Sequence, residues 1–176
     1  MELVGRMMDG SFFGGAGPQP SSSGSGIDDD DRIERLEQVP LFQTCSRRQL
    51  KAIARICETF DVPSGTVLTR TGESGEEFFL IVDGAVRVEV SARRQIHLGA
   101  GEYFGEMSLL DGEPRSATAV AEASVRLLVI RRRHFQKLLE DTPGIGQNLL
   151  ITLCRRVRDA ERALAQPGPA QAVDMP

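Results

Sequence analysis

From Phe60 to Ile130 the chain breaks into short apolar runs separated by glycine-bearing turns. Thr66–Arg70, Glu77–Val82, Val86–Val90, Arg94–Leu98, Ala117–Ala121 and Val125–Ile130 each read as a strand, and Gly72, Gly75, Gly84, Gly99 and Gly101 punctuate the series. Strands reversed by a few residues must pair antiparallel, because a parallel pair needs a crossover of a dozen residues or more. The spacing therefore predicts a compact antiparallel barrel or sandwich and excludes a βαβ fold. Glu77–Val82 is apolar on both faces and should be buried on both. Val86, Val88 and Val90 alternate with Arg87 and Glu89, as in a half-exposed strand. Asp83-Gly84 predicts a two-residue type I′ hairpin between those two strands.

Helical signals flank this region. A short helix is expected over about 31–38, stopping before Pro40. Ser46-x-x-Gln49 fits a capping box, and Cys45 with Leu50 fits the accompanying hydrophobic staple. Leu50, Ile53 and Ile56 give the second helix one apolar face. After the strands, Arg132–Glu140 reads as a helix, and Thr142-Pro143 opens a longer one with proline at its favoured first position. Ile145, Leu149, Leu153, Val157, Ala160 and Leu164 form its apolar stripe, and Pro143 and Gly144 suggest a hinge near Asp141–Gly144. The domain is expected over 31–165. Residues 1–30, rich in Gly, Ser and Pro and ending in an acidic run, should be a disordered arm, and 166–176 a disordered tail. The expected class is mainly β: helices, then a small antiparallel β-barrel, then helices.

Composition narrows the function. A net charge of −4 with a pI near 5.3 argues against phosphate-driven nucleic-acid binding. Eight Phe, one Tyr and no Trp make a base-stacking platform implausible. Cys45, Cys57 and Cys154 are odd in number and widely spaced, and His97 and His134 stand apart. A disulfide framework and a structural zinc site are not expected. No run approaches a membrane span, and the first residues lack the apolar core of a signal peptide, so a cytoplasmic location is expected.

The segment Gly101–Ala121, GEYFGEMSLLDGEPRSATAVA, is longer than a barrel turn requires. Gly105 permits close backbone approach. Glu106–Leu110 reads as a short helical turn whose first N–H groups, at Met107 and Ser108, suit an anion. Arg115 offers a rigid five-donor fork that matches a phosphate. One carboxylate, one cation, one helix start and the Ser116 hydroxyl thus fall within a dozen residues. A surface ion pair between Glu106 and Arg115 is the plainer reading of the same residues.

Gly105-Glu106-Met107-Ser108-Leu109-Leu110 followed by Pro114-Arg115-Ser116-Ala117-Thr118 resembles the phosphate-binding cassette of cyclic-nucleotide-binding domains. These occur in catabolite activators, in regulatory subunits of cAMP-dependent protein kinase and in nucleotide-gated channels. The resemblance extends over about residues 31–165 and implies an eight-stranded, jelly-roll-like barrel with N-terminal helices and two C-terminal helices. It implies that Arg115 pairs with the cyclic phosphate, with Ser116 and the N–H groups of Met107 and Ser108 around it. It also implies that Glu106, behind Gly105, accepts from the ribose 2′-hydroxyl. Kinase sites selective for cAMP typically carry Ala where this chain has Ser116, and cGMP-selective ones Thr. Ser116 is neither, but bacterial cAMP-binding activators can carry Ser there, so the resemblance makes cAMP the expected ligand with cGMP second. The activators read adenine with a Thr-Ser pair, where this chain has Ala160 and Glu161. The lid residue could instead be Arg156 or Arg158.

The resemblance implies no cofactor and no catalysis. The activators continue into a helix-turn-helix domain, whereas this sequence ends about a dozen residues after its last helix. Direct DNA binding is therefore not expected. The signal should pass through the C-terminal helices to an effector protein or to a homodimer formed by helix 143–165. The rival readings are a haem, redox or cyclic-dinucleotide sensor of the same fold, or a degenerate module kept for protein contacts.

Overall fold

The structure, a computed structural model, describes residues 29–92 and 94–165. The expected arm and tail lie outside the described residues, except that Asp29 and Asp30 already belong to the first helix. In chain order the elements are α1 (Asp29–Glu37), a 3-10 turn (Pro40–Phe42), α2 (Arg47–Ile56), β1 (Glu58–Val62), β2 (Val67–Thr69), β3 (Glu77–Asp83), β4 (Val86–Ser91) and β5 (Arg94–Leu98). There follow β6 (Tyr103–Phe104), α3 (Glu106–Asp111), β7 (Thr118–Ala121), β8 (Val125–Arg131), α4 (Arg132–Asp141) and α5 (Pro143–Ala165).

The eight strands form two antiparallel sheets, ordered β1-β8-β3-β6 and β2-β7-β4-β5. The outcome is the expected jelly-roll-like fold with helices at both ends. The central residues of β3 and β8, Phe78–Val82 and Leu127–Ile130, are all apolar because each strand faces two cores. Phe78, Leu80, Leu128 and Ile130 point to the helices and meet Ile33, Phe42, Ile53, Phe135 and Ile145. Phe79, Ile81, Leu127 and Val129 point between the sheets and meet Val86, Leu98, Ala119 and Ala121. Alternation with period two puts the odd and even residues of each strand on opposite faces.

One local expectation fails. β3 and β4 are not a hairpin: β3 pairs with β6 and β8, while β4 pairs with β5 and β7. Both edges of β3 are taken, so the chain at Gly84 crosses to the other sheet. Gly84 alone has positive φ there, at 89°, which excludes a type I′ turn at Asp83-Gly84. A Cβ on Gly84 would lie 2.4 Å from the Ser124 carbonyl oxygen, so the crossing also requires glycine's missing side chain.

The helical ends are fastened to each other. The Ser46–Gln49 capping box is present, and Cys45 packs against the helical core. Asn148 of α5, buried, donates to the Leu41 carbonyl at 3.0 Å and to Thr44 Oγ1 at 3.4 Å. Thr142 is buried, and its hydroxyl accepts from Gln49 Nε2 at 3.5 Å. Gly144 lies so close to Thr44 that a Cβ would come within 2.6 Å of its hydroxyl. The segment expected to hinge is therefore tightly packed. The apolar stripe of α5 divides in two: Ile145 and Leu149 are buried and Leu153 partly so, while Val157 and Leu164 are exposed.

Candidate functional site

The cassette begins where β6 ends. Gly105 caps α3 in the left-handed region at φ 86°, and a Cβ there would strike the Glu77 carbonyl oxygen at 2.8 Å and Arg115 Nη1 at 2.7 Å. That conformation turns the chain so that Glu106 starts α3 facing inward. Glu106 is only 1% exposed. Its carboxylate accepts from Arg156 Nη1 at 2.6 Å. Arg156 comes from α5, donates through Nη2 to the Tyr103 carbonyl at 2.6 Å, and lies 5.1 Å over the Tyr103 ring.

Arg115 is clamped by the loop between β2 and β3. Its N–H donates to the Glu73 carbonyl at 2.8 Å, and its carbonyl accepts from the Gly72 N–H at 2.9 Å. The guanidinium, buried with the rest of the residue, donates from Nη1 to the Gly105 carbonyl at 2.9 Å. Nη2 donates to the Glu77 carbonyl at 2.9 Å and to the Glu77 carboxylate at 3.1 Å. The group sits 5.6 Å over the Phe79 ring. A Cβ on Gly75 would fall 2.3 Å from Nε, so Gly75 leaves the fork its room.

Arg132, at the start of α4, ties these parts together. Its Nη2 donates to the Gly75 carbonyl at 2.8 Å and to the Ser108 carbonyl at 3.1 Å, and its Nε donates to the Glu76 carboxylate at 3.0 Å. The cassette is thus joined to α4 by Arg132 and to α5 by Arg156.

Burial sets the electrostatics. It pushes the Glu106 carboxyl above its ordinary range, against the opposing pull of Arg156. It pushes Glu77 up likewise, with Arg115 pulling the other way. Arg115 is lowered, first by burial, with Glu77 opposing. Two carboxylates and two guanidinium groups therefore share a poorly hydrated region, where charge interactions are strong.

Of the residues singled out in the sequence, Gly105, Glu106, Arg115, Ser108 and Arg156 converge. Met107 and Ser116 lie exposed at the rim, with the Ser116 hydroxyl 3.7 Å from the Met107 sulfur. Arg158 and Glu161 are exposed and Ala160 half-buried. Among these four helix candidates, Arg156 alone hydrogen-bonds to the cassette among the described residues. Sequence reasoning missed Glu77, Gly75, Tyr103 and Arg132, which reach the site from β3, the β2–β3 loop, β6 and α4. Nothing in their local spacing marks them; only the pairing of β3 with β6 and β8 brings them in.

Residues 59–142 match the family model of the cyclic nucleotide-binding domain. This segment belongs to that family. A cyclic nucleotide-gated potassium channel of Mesorhizobium japonicum is 41% identical over 118 residues, covering 67% of this chain and 33% of the channel. A cyclic AMP receptor protein of Thermus thermophilus is 33% identical over 134 residues, covering 73% of this chain and 62% of that protein. The crystal structure of the Thermus thermophilus catabolite activator protein superposes with a TM-score of 0.65 at 33% identity, over 71% of this chain and 61% of that one. The chain spans between a third and about three fifths of the length of these relatives. Among the described residues no helix is long and apolar enough to cross a membrane, and no group of three or more His, Cys, Asp or Glu side chains is placed to hold a metal ion.

Proposed function

We propose that this domain is a cyclic-nucleotide sensor that prefers cAMP. The observation that carries the reading is the buried pairing of a phosphate-type cation and a hydroxyl acceptor on one glycine hinge: Arg115 donates to the Gly105 carbonyl, and Glu106 follows Gly105 directly. Arg115 would hold the cyclic phosphate with the N–H groups of Met107 and Ser108. Glu106 would accept from the ribose 2′-hydroxyl. Arg156 is the lid residue favoured by its reach from α5, ahead of Arg158, Ala160 and Glu161. Ser116, exposed at the rim, is free to meet the base and would moderate the choice between cAMP and cGMP. The domain acts by binding, without catalysis and without a cofactor.

The signal would leave through α5. Leu150, Cys154, Val157, Glu161 and Leu164 recur at spacings of four and three residues along its outer side, and all are exposed. That is the seam of a two-helix coil. A homodimer through α5, or an effector helix docked on the same side, fits it. Transmission would thus be protein to protein, without direct DNA contact, in the cytoplasm.

Calorimetric titration with cAMP, cGMP, 2′-deoxy-cAMP and a cyclic dinucleotide tests the reading. cAMP should bind about tenfold more tightly than cGMP, or ~1.4 kcal/mol. 2′-Deoxy-cAMP should bind weakly, and Arg115→Ala should fold and lose most of the affinity. Wild-type binding by Arg115→Ala, or no binding of any of these ligands by the wild type, defeats the reading.

A further inference from the structure

Arg115 is not waiting with an open fork. A guanidinium can grip an anion with two parallel N–H bonds on either of two edges, Nε with Nη2 or Nη1 with Nη2. Both edges include Nη2. Here Nη2 donates to two acceptors of one residue, the Glu77 carbonyl at 2.9 Å and the Glu77 carboxylate at 3.1 Å. The carbonyl is fixed in β3, where Glu77 lies opposite Arg131. The carboxylate is on a movable side chain, 22% exposed against 5% for Arg115. The neighbouring Glu76 is engaged elsewhere, with Arg132.

Resting on the function proposed above, we infer that the Glu77 carboxylate is an internal competitor for the phosphate position on Arg115. It filters ligands by charge, admitting a singly charged cyclic phosphodiester and opposing a doubly charged phosphate monoester. A phosphate gains its second N–H bond only by turning that carboxylate aside. The displaced carboxylate stays tethered to residue 77, within a few ångströms, and repels the incoming charge. A cyclic diester carries one negative charge. A monoester carries nearly two at neutral pH, because its second pKa is near 6. Coulomb repulsion scales with the product of the charges, so the monoester is penalised about twice as much in free energy. The monoester left when the cyclic ligand is hydrolysed elsewhere would then compete poorly for the site, through its own charge.

The variant Glu77→Gln tests this at constant shape. Glutamine keeps an oxygen that can accept from Nη2 and removes only the charge. Thermal melting first establishes that the ligand-free variant is folded. At pH 7.5, cAMP should then bind about tenfold more tightly than to the wild type. 5′-AMP, measured by competition, should gain about a hundredfold, the square of that factor. Glu77→Asp, which keeps the charge on a shorter arm, should still disfavour 5′-AMP. Unchanged or weaker cAMP binding by folded Glu77→Gln would overturn the inference and make Glu77 a positioning residue. Equal gains for the two ligands would overturn the charge filter. If neither wild type nor variant binds any cyclic nucleotide, the proposed function fails and this inference with it.

Discussion

Among the described residues, Arg156 is the α5 side chain that hydrogen-bonds to the cassette, and its removal should show which energies matter. In Arg156→Ala three interactions go: the 2.6 Å bond to Glu106, the 2.6 Å bond to the Tyr103 carbonyl, and the stacking over the Tyr103 ring. Breaking a buried ion pair by removing one partner costs about 3–5 kcal/mol. That figure is too large here. Arg156 is 35% exposed against 2% for Glu106, so water screens the pair and can hydrate the orphaned carboxylate. Arg115 also remains nearby to lower the cost of that charge. A discounted loss of about 1–2 kcal/mol for the ion pair and the bond to the Tyr103 carbonyl together is reasonable, with the cation–π contact adding about 0.5–1 kcal/mol. The sum, roughly 2 kcal/mol, is comparable to the free energy that orders one helical end.

The loss should therefore be local. Hydrogen exchange should speed up over residues 154–165 by roughly thirtyfold, the factor that 2 kcal/mol represents. Residues 143–153 should stay protected, since Ile145, Asn148 and Leu149 are buried against the N-terminal helices. Arg156→Ala should also bind cAMP more weakly, as should a chain truncated from Ala160. A double-mutant cycle with Glu106→Gln should give a coupling of about 1 kcal/mol. Additive effects, or unchanged exchange over 154–165, would show that α5 is held by something other than this pair.

Gly105→Ala should be destabilised by about 2–4 kcal/mol, from left-handed backbone strain plus collision with the Glu77 carbonyl and Arg115, and chemical denaturation measures it. Asn148→Ala should cost about 1–3 kcal/mol, by the same assay, because the buried Leu41 carbonyl loses its donor. Glu106→Gln should raise the melting temperature at pH 7.5 and lose that advantage toward pH 5. The folded chain holds the Glu106 proton more tightly than the unfolded chain does, so raising the pH above the ordinary carboxylate value takes stability away from the wild type alone. A wild type that gains on Glu106→Gln as pH rises would reverse the sign and refute burial as the dominant influence on Glu106.

The sequence showed the strands because β3 and β8 must be apolar on both faces and β4 on one, and it showed the cassette because Gly105, Glu106 and Arg115 carry their chemistry within a dozen residues. It misled at Asp83-Gly84, where a strong local turn signal met a strand whose two edges were already taken by β6 and β8. It passed over β1, where Phe60 and Val62 are too few inward-facing residues for a period to emerge, and β6, which has only two residues. Glu77 and Arg132 escaped for a different reason. Their partners lie 38 and 24 residues away, so only tertiary pairing makes them neighbours of Arg115 and Ser108.

On the proposed signalling route, the bend in α5 would lie beyond Pro143 and Gly144. Pro143 and Gly144 look like a hinge in sequence, yet Thr142 is buried and Gly144 is wedged against Thr44. Asn148 fastens the next turn to Leu41. Any pull on Arg156 by a change at Glu106 must therefore act beyond Asn148, or carry the 3-10 turn and α2 along with the helix. Thr152 supplies a soft place for the first option. Its hydroxyl donates to the Asn148 carbonyl four residues back at 3.0 Å, a local bond that competes with the helical ladder and favours bending. Beyond it the outer side of the helix offers Cys154, Val157 and Leu164 to solvent, so a bend at Thr152 would swing an apolar seam while the anchored half stays still. On the proposed route the cassette and the seam would be joined through the Arg156–Glu106 ion pair, and the proximal half of α5 would serve as the fixed post against which the distal half bends.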